Sequence, residues 1–206
     1  MKEHARLIPA GLLLAVLGVS ACGSDSGRDV RPLPPPLASN ASPDPSTSDE
    51  TIPLDQVRKS QAAAVSQRVA NTEITVTYSR PVARSRVLFG ELIPYDRVWN
   101  PGADQATAVA FTRDVEVAGR PLAAGKYSLW AIPRPTAWTL IFSRAADVYH
   151  TPYPGEAQDA LRLDVTPDDG PHTETLTFSF PVVDGKDTVL QLQWGSVTIS
   201  LPVRVR

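Results

Sequence analysis

The chain has 206 residues, 20 Lys or Arg against 22 Asp or Glu, and one cysteine. Charge so nearly balanced, with no basic stripe or cluster, excludes an electrostatic footprint for nucleic acid. A lone cysteine excludes an intrachain disulfide, so the folded part must rely on its core alone.

The chain opens with Lys2 and Arg6, a 13-residue apolar run over 7–19, then Ser20-Ala21-Cys22. A membrane-spanning helix needs about 20 apolar residues, and this run is shorter and carries Pro9, Gly11 and Gly18. It fits the apolar region of a secretory signal instead. The stretch Leu17-Gly18-Val19-Ser20-Ala21-Cys22 resembles a bacterial lipoprotein signal. That resemblance implies removal of residues 1–21, acylation of the Cys22 thiol and a lipid bilayer as the first partner. Each buried methylene contributes about 0.8 kcal/mol, and stable anchoring takes more than one chain. The expected location is the cell envelope, and the outer membrane where the cell has two, since Gly23 rather than Asp follows the cysteine.

Residues 22–56 read as a tether. The stretch holds seven prolines and no aromatic residue, too little apolar surface to offset ordering entropy. Its 34 residues after Cys22 reach roughly 30–35 Å as a coil and roughly 100 Å extended at about 3.1 Å each.

Residues 57–206 carry all fourteen aromatic residues and a balance of 16 basic to 15 acidic. A domain of about 150 residues buries roughly 70% of the surface its unfolded chain exposes. Its apolar residues alternate with polar ones, as in Ile74, Val76, Tyr78 and Leu176, Phe178, Phe180. This period of two predicts strands near 64–69, 73–79, 106–112, 114–118, 126–132, 137–143, 160–166, 174–181, 187–194 and 197–204. Hairpin turns are expected at Gly195-Ser196, of type II′, and at Ala118-Gly119 and Ala124-Gly125. No ten-residue helical period appears. The pattern predicts an all-β antiparallel sandwich, jelly-roll-like, with an up-and-down barrel as the alternative.

Strands 126–132 and 137–143 are apolar on both faces, with Tyr127 and Leu129 opposed to Trp130 and Ile132. Something must cover the second face. The 26-residue connection 80–105 is the expected cover, being rich in large apolar groups such as Val87, Phe89, Ile93 and Trp99. Connections of that length are often functional.

The ordered series Tyr78-Ser79-Arg80-Pro81, Phe89-Gly90-x-Leu92-Ile93-Pro94-Tyr95, Trp99, Gly102-Ala103-Asp104-Gln105-Ala106-Thr107 and Gly119-x-x-Leu122-x-Ala124-Gly125-x-Tyr127 continues through Trp138-x-x-Ile141 and Asp159-x-x-Arg162. It resembles the bacterial domain of unknown function 2911 over about residues 60–203. The resemblance implies an exported domain and supplies no activity. Asn100 stands where that family commonly has Arg, and Asp104-Gln105 where it has Asn-Glu.

No nucleophile elbow, zinc-binding His-Glu-x-x-His or phosphate loop occurs, and no cofactor is expected. His150 and His172 lie in Pro-rich segments without metal-ligand spacing. His172 and the pairs Asp168-Asp169 and Asp184 with Asp187 read as turn residues. Two segments have the composition of a recognition surface. One is Trp99-Asn100 with Asp104 and Gln105, the other Tyr149-His150 with Tyr153, each combining aromatic faces with polar edges. Arg80 flanks the first and is placed to pair with Asp96 or Asp104. The preferred reading is a non-catalytic module for a glycan, peptide or protein. The alternatives are an envelope hydrolase using carboxylates of 80–105, and a structural spacer.

Overall fold

The computed structural model describes residues 59–206. The signal segment, Cys22 and the Pro-rich stretch lie outside the described residues. Two antiparallel sheets form a sandwich. The first holds six strands: β1 (Gln61–Val69), β2 (Thr72–Arg80), β3 (Ala108–Phe111), β6 (Gly125–Ile132), β7 (Trp138–Ser143) and β8 (Asp159–Val165), in that spatial order. The second holds β5 (Arg120–Leu122), β4 (Val115–Val117), β10 (Asp187–Val205) and β9 (Asp168–Asp184), also in that order. The chain therefore changes sheet after β3, after β5 and after β8.

The alternation seen in the sequence sets the inner faces. Ile74, Val76 and Tyr78 of β2 and Leu129 of β6 meet Leu176, Phe178 and Leu190 of the other sheet in one buried core. Burial of each such side chain contributes roughly 1.5–3 kcal/mol. Tyr78 also ties the layers together. Its ring stands edge-on to Phe178 at 4.8 Å, and its hydroxyl oxygen accepts the Phe178 amide at 3.2 Å.

Ala118-Gly119 makes the expected two-residue turn, pairing Val117 with Arg120, both turn residues having positive φ. The other two turn expectations fail. At Ala124-Gly125 the chain passes from β5 to β6 in the opposite sheet. Gly195-Ser196 is no hairpin, because β10 runs through it for 19 residues against the 17-residue β9. The ladder shifts register on both sides of Gly195, which marks a bulge where the strand bends. Glycine is needed there, with φ +60° and Leu88 Cδ1 only 2.8 Å from where a Cβ would sit. The long β9 also absorbs Asp168, Asp169 and His172, so these are strand residues rather than turn residues.

The two-faced strands β6 and β7 do have their second face covered, but by another segment. Trp130 and Ile141 on the outer face pack with Ala106, Val148 and Tyr153. The cover thus comes mainly from the β7–β8 connection. The longer connection that follows β2 goes between the sheets, where Leu88, Phe89, Ile93 and Trp99 join the main core. Its backbone bridges to β9 at Val82 and to β6 at Trp99.

Candidate functional site

After β2 the chain steps across to the second sheet. Ala83 donates its amide to the Glu174 carbonyl at 2.7 Å, and Leu176 donates to the Pro81 carbonyl at 3.0 Å. A tight loop then folds back, with the Ile93 amide on the Leu88 carbonyl at 2.8 Å and the Gly90 amide on the Ile93 carbonyl at 2.9 Å. Gly90 has φ +96°, and a Cβ there would meet the Tyr95 ring at 2.9 Å. The segment next runs beside β6, Trp99 and Ala131 exchanging amide–carbonyl bonds of 2.8 and 2.7 Å.

These pairings deliver two aromatic rings to the sheet ends. Trp99 stacks on Trp194 of β10, centroids 5.9 Å apart and planes at 17°. Phe89 stands edge-on to Trp138 at 4.7 Å, to Trp99 at 5.8 Å and to Trp194 at 6.2 Å. Each such contact contributes roughly 0.5–1.5 kcal/mol beyond its area.

Asn100 sits at the foot of this cluster, 1% exposed. Its Nδ2 donates to the Leu129 carbonyl at 2.7 Å, and its Oδ1 accepts the Thr107 amide at 3.1 Å. Thr107 Oγ1 in turn donates to the Pro101 carbonyl at 2.7 Å. Gly102 fits under this arch because a Cβ would lie 2.6 Å from Thr107 Oγ1. Asn100 is therefore a fixing residue that closes the 100–107 loop onto β6, and its amide faces protein at both ends.

The two segments that the sequence offers separately are neighbours. The His150 amide donates to the Asp104 carbonyl at 3.0 Å, and the Ala106 amide to the Val148 carbonyl at 2.9 Å. Gln105 and Tyr149 pair between these bonds. Tyr149 is exposed, its ring 4.6 Å from that of His150.

Trp99, Trp194 and His150 line one cavity of about 370 Å³. Pro81, Val82, Leu92 and Ile93 supply apolar wall, and Lys59, Arg84 and Arg86 supply cations. No Asp or Glu lines it. Arg86 is held by its Nε to the Ala83 carbonyl at 2.8 Å and by Nη2 to the Val82 carbonyl at 2.6 Å. The nearby Glu174 carboxyl is held below the usual range, chiefly by its hydrogen bond to His172 and then by the Arg84 amide.

The remaining candidates are elsewhere. Asp104 and Gln105 line a separate cavity with Ala62–64 and 77–79. Arg80 reaches β9, donating to the Leu176 carbonyl at 3.2 Å and Thr177 Oγ1 at 3.0 Å. Asp96 pairs with Arg134 at 2.7 Å. Tyr153 lies on the outer face, edge-on to Trp130 at 5.3 Å, and its hydroxyl donates to Asp159. Burial, and then that bond, raise the Tyr153 pKa. Among the described residues no group of three or more His, Cys, Asp or Glu is placed to hold a metal.

Sequence reasoning missed Lys59, Arg84, Arg86 and Trp194 as site residues. Arg84 and Arg86 carry a weak signal, two cations spaced by two beside an apolar loop. Trp194 carries none, since it reads as an ordinary core position in an alternating strand.

A family model described as a protein of unknown function, DUF2911, matches residues 60–203. The chain belongs to this family. The DUF2911 region covers both sheets, from the start of β1 to near the end of β10. It also contains every residue lining the Trp99–Trp194 cavity apart from Lys59. No curated protein and no solved structure matches the chain.

Proposed function

We propose that this DUF2911 protein is an envelope lipoprotein, anchored through acylated Cys22, whose sandwich is a non-catalytic binding module. The module takes a glycan, peptide or protein partner in the cavity floored by Trp99 and Trp194. One observation carries the binding reading. Two stacked indoles line an apolar-walled cavity of about 370 Å³, within the roughly 300–1,000 Å³ typical of small-ligand sites.

The distribution of titratable groups supports binding over hydrolysis. A carboxylate hydrolase in the 80–105 connection would need two carboxyl groups converging on one cleft. Asp96 is tied to Arg134, and Asp104 lines a different cavity from His150. The anchor rests on the sequence pattern around Cys22.

Two experiments test the halves of this reading. Cys22→Ala should move the protein from the membrane fraction to the soluble one, and unchanged detergent partitioning would reject the anchor. For the module, the purified chain is screened by tryptophan fluorescence against panels of envelope glycans and peptides. Binding that Leu92→Asp abolishes, with the thermal midpoint of that variant unchanged, is the expected result. A silent screen, or binding indifferent to Leu92→Asp, would reject this cavity as the site.

A further inference from the structure

The cavity's charge says what kind of molecule it takes. Three cations, Lys59, Arg84 and Arg86, line it together with His150, and no carboxylate does. This is a local excess in a region of the chain whose charge is otherwise balanced. Lys59 and Arg84 are both exposed, and the one carboxylate beside them, Glu174, accepts the Arg84 amide and the His172 ring nitrogen from outside the cavity lining. Arg86 is different. Two backbone carbonyls hold its guanidinium in place, so it meets a ligand with less rotamer freedom to lose.

The floor is the second observation. Trp99 stacks on Trp194 at 17°, which fixes the Trp99 indole at the cavity, and a flat indole suits the apolar face of a ring. Trp194 is only 3% exposed, so the ring open to a ligand is that of the half-buried Trp99. The volume suits one or two rings better than an extended peptide.

We infer that this site binds an acidic saccharide, a sugar ring seated against Trp99 with its carboxylate or phosphate facing Lys59, Arg84 and Arg86. This deepens the binding-module reading and rests on it. Sugar hydroxyls offer acceptors for the cationic side chains, while the ring's C–H face meets the Trp99 indole. An acidic peptide offers the charge without the ring.

The test uses the full chain and three probes followed by tryptophan fluorescence: trigalacturonate, its methyl ester, and tetraglutamate. The ester keeps the ring and removes the charge. Trigalacturonate should bind about tenfold more tightly than the ester, a gap of the size three partly exposed cations can make. Arg84→Gln and Lys59→Gln should each weaken trigalacturonate binding about two- to fivefold and leave the ester unaffected. Both residues are exposed, so thermal midpoints should stay at the wild-type value. Added salt should weaken the acid form alone. Equal binding of acid and ester, with the Gln variants silent, would overturn the acidic preference and leave a glycan-binding module. Binding of tetraglutamate alone would overturn the saccharide and leave a peptide-binding module. If none of the three binds, the inference fails. The module itself fails only if the wider glycan and peptide panels are silent too.

Discussion

The two long connections of the six-stranded sheet, 81–107 and 144–158, have similar composition and opposite fates. Both carry aromatic residues and prolines, and both return onto the sheet they left. The first enters the gap between the sheets and gives Phe89 and Trp99 to the main core. The second stays outside and lays Tyr153 over Trp130. The two tips also differ in polarity. Phe89 brings no polar atom into the cluster. Tyr153 needs a partner for its hydroxyl, and finds Asp159, itself bonded by Arg162 Nε at 2.5 Å, at the wet edge of the sheet. Aromatic content therefore marks both segments as packing elements, while the backbone pairings of each connection decide which face it covers.

The comparison breaks most sharply at Phe89. Phe89→Ala removes the ring touching three tryptophans and should destabilise the domain by about 3 kcal/mol. Urea unfolding should show a lower midpoint, and a loss under 1 kcal/mol would mean that 81–107 does not plug the core. Asn100→Ala comes next, at about 2 kcal/mol, since it strands the Leu129 carbonyl and the Thr107 amide in a buried site. Asn100→Asp should not rescue it, because a carboxylate cannot donate to Leu129.

Tyr153→Phe should cost least, about 1 kcal/mol at neutral pH, for one exchanged hydrogen bond. It also has a signature in pH. Folding raises the Tyr153 pKa above its ordinary 10.0, so the neutral phenol is the form the fold favours. That contribution is whole below about pH 10 and is lost as pH rises through the folded-state value. Tyr127, raised by burial, acts in the same direction. The wild-type thermal midpoint should therefore fall above pH 10, and Tyr153→Phe should make that fall shallower. An identical alkaline limb in the variant would show that the phenol is not held neutral by the outer face.

Alternation alone identifies the inner face of nearly every strand here, because side-chain direction repeats every two residues whatever the partner. Composition adds that β6 and β7 need cover on both sides, and that Trp99 and His150 sit in segments able to form a surface. The Gly195 misreading has a clear cause. A glycine between two apolar runs suits a turn and a bulge equally, and only the length of β9 opposite decides between them. The cations were invisible as a group because Lys59 lies outside the connection that carries Arg84 and Arg86, and Trp194 comes from the far end of the chain.

The amino-acid order thus determined most of the strands and their buried sides, though not β5 or the continuity of β10, since alternation depends on neighbours within a few positions. Which connection fills the sandwich, how Asn100 is bonded to Leu129, and which charges line the cavity beside the stacked tryptophans were decided by contacts between elements far apart in the chain. Such contacts exist only once register and sheet order are set, and no local pattern encodes them.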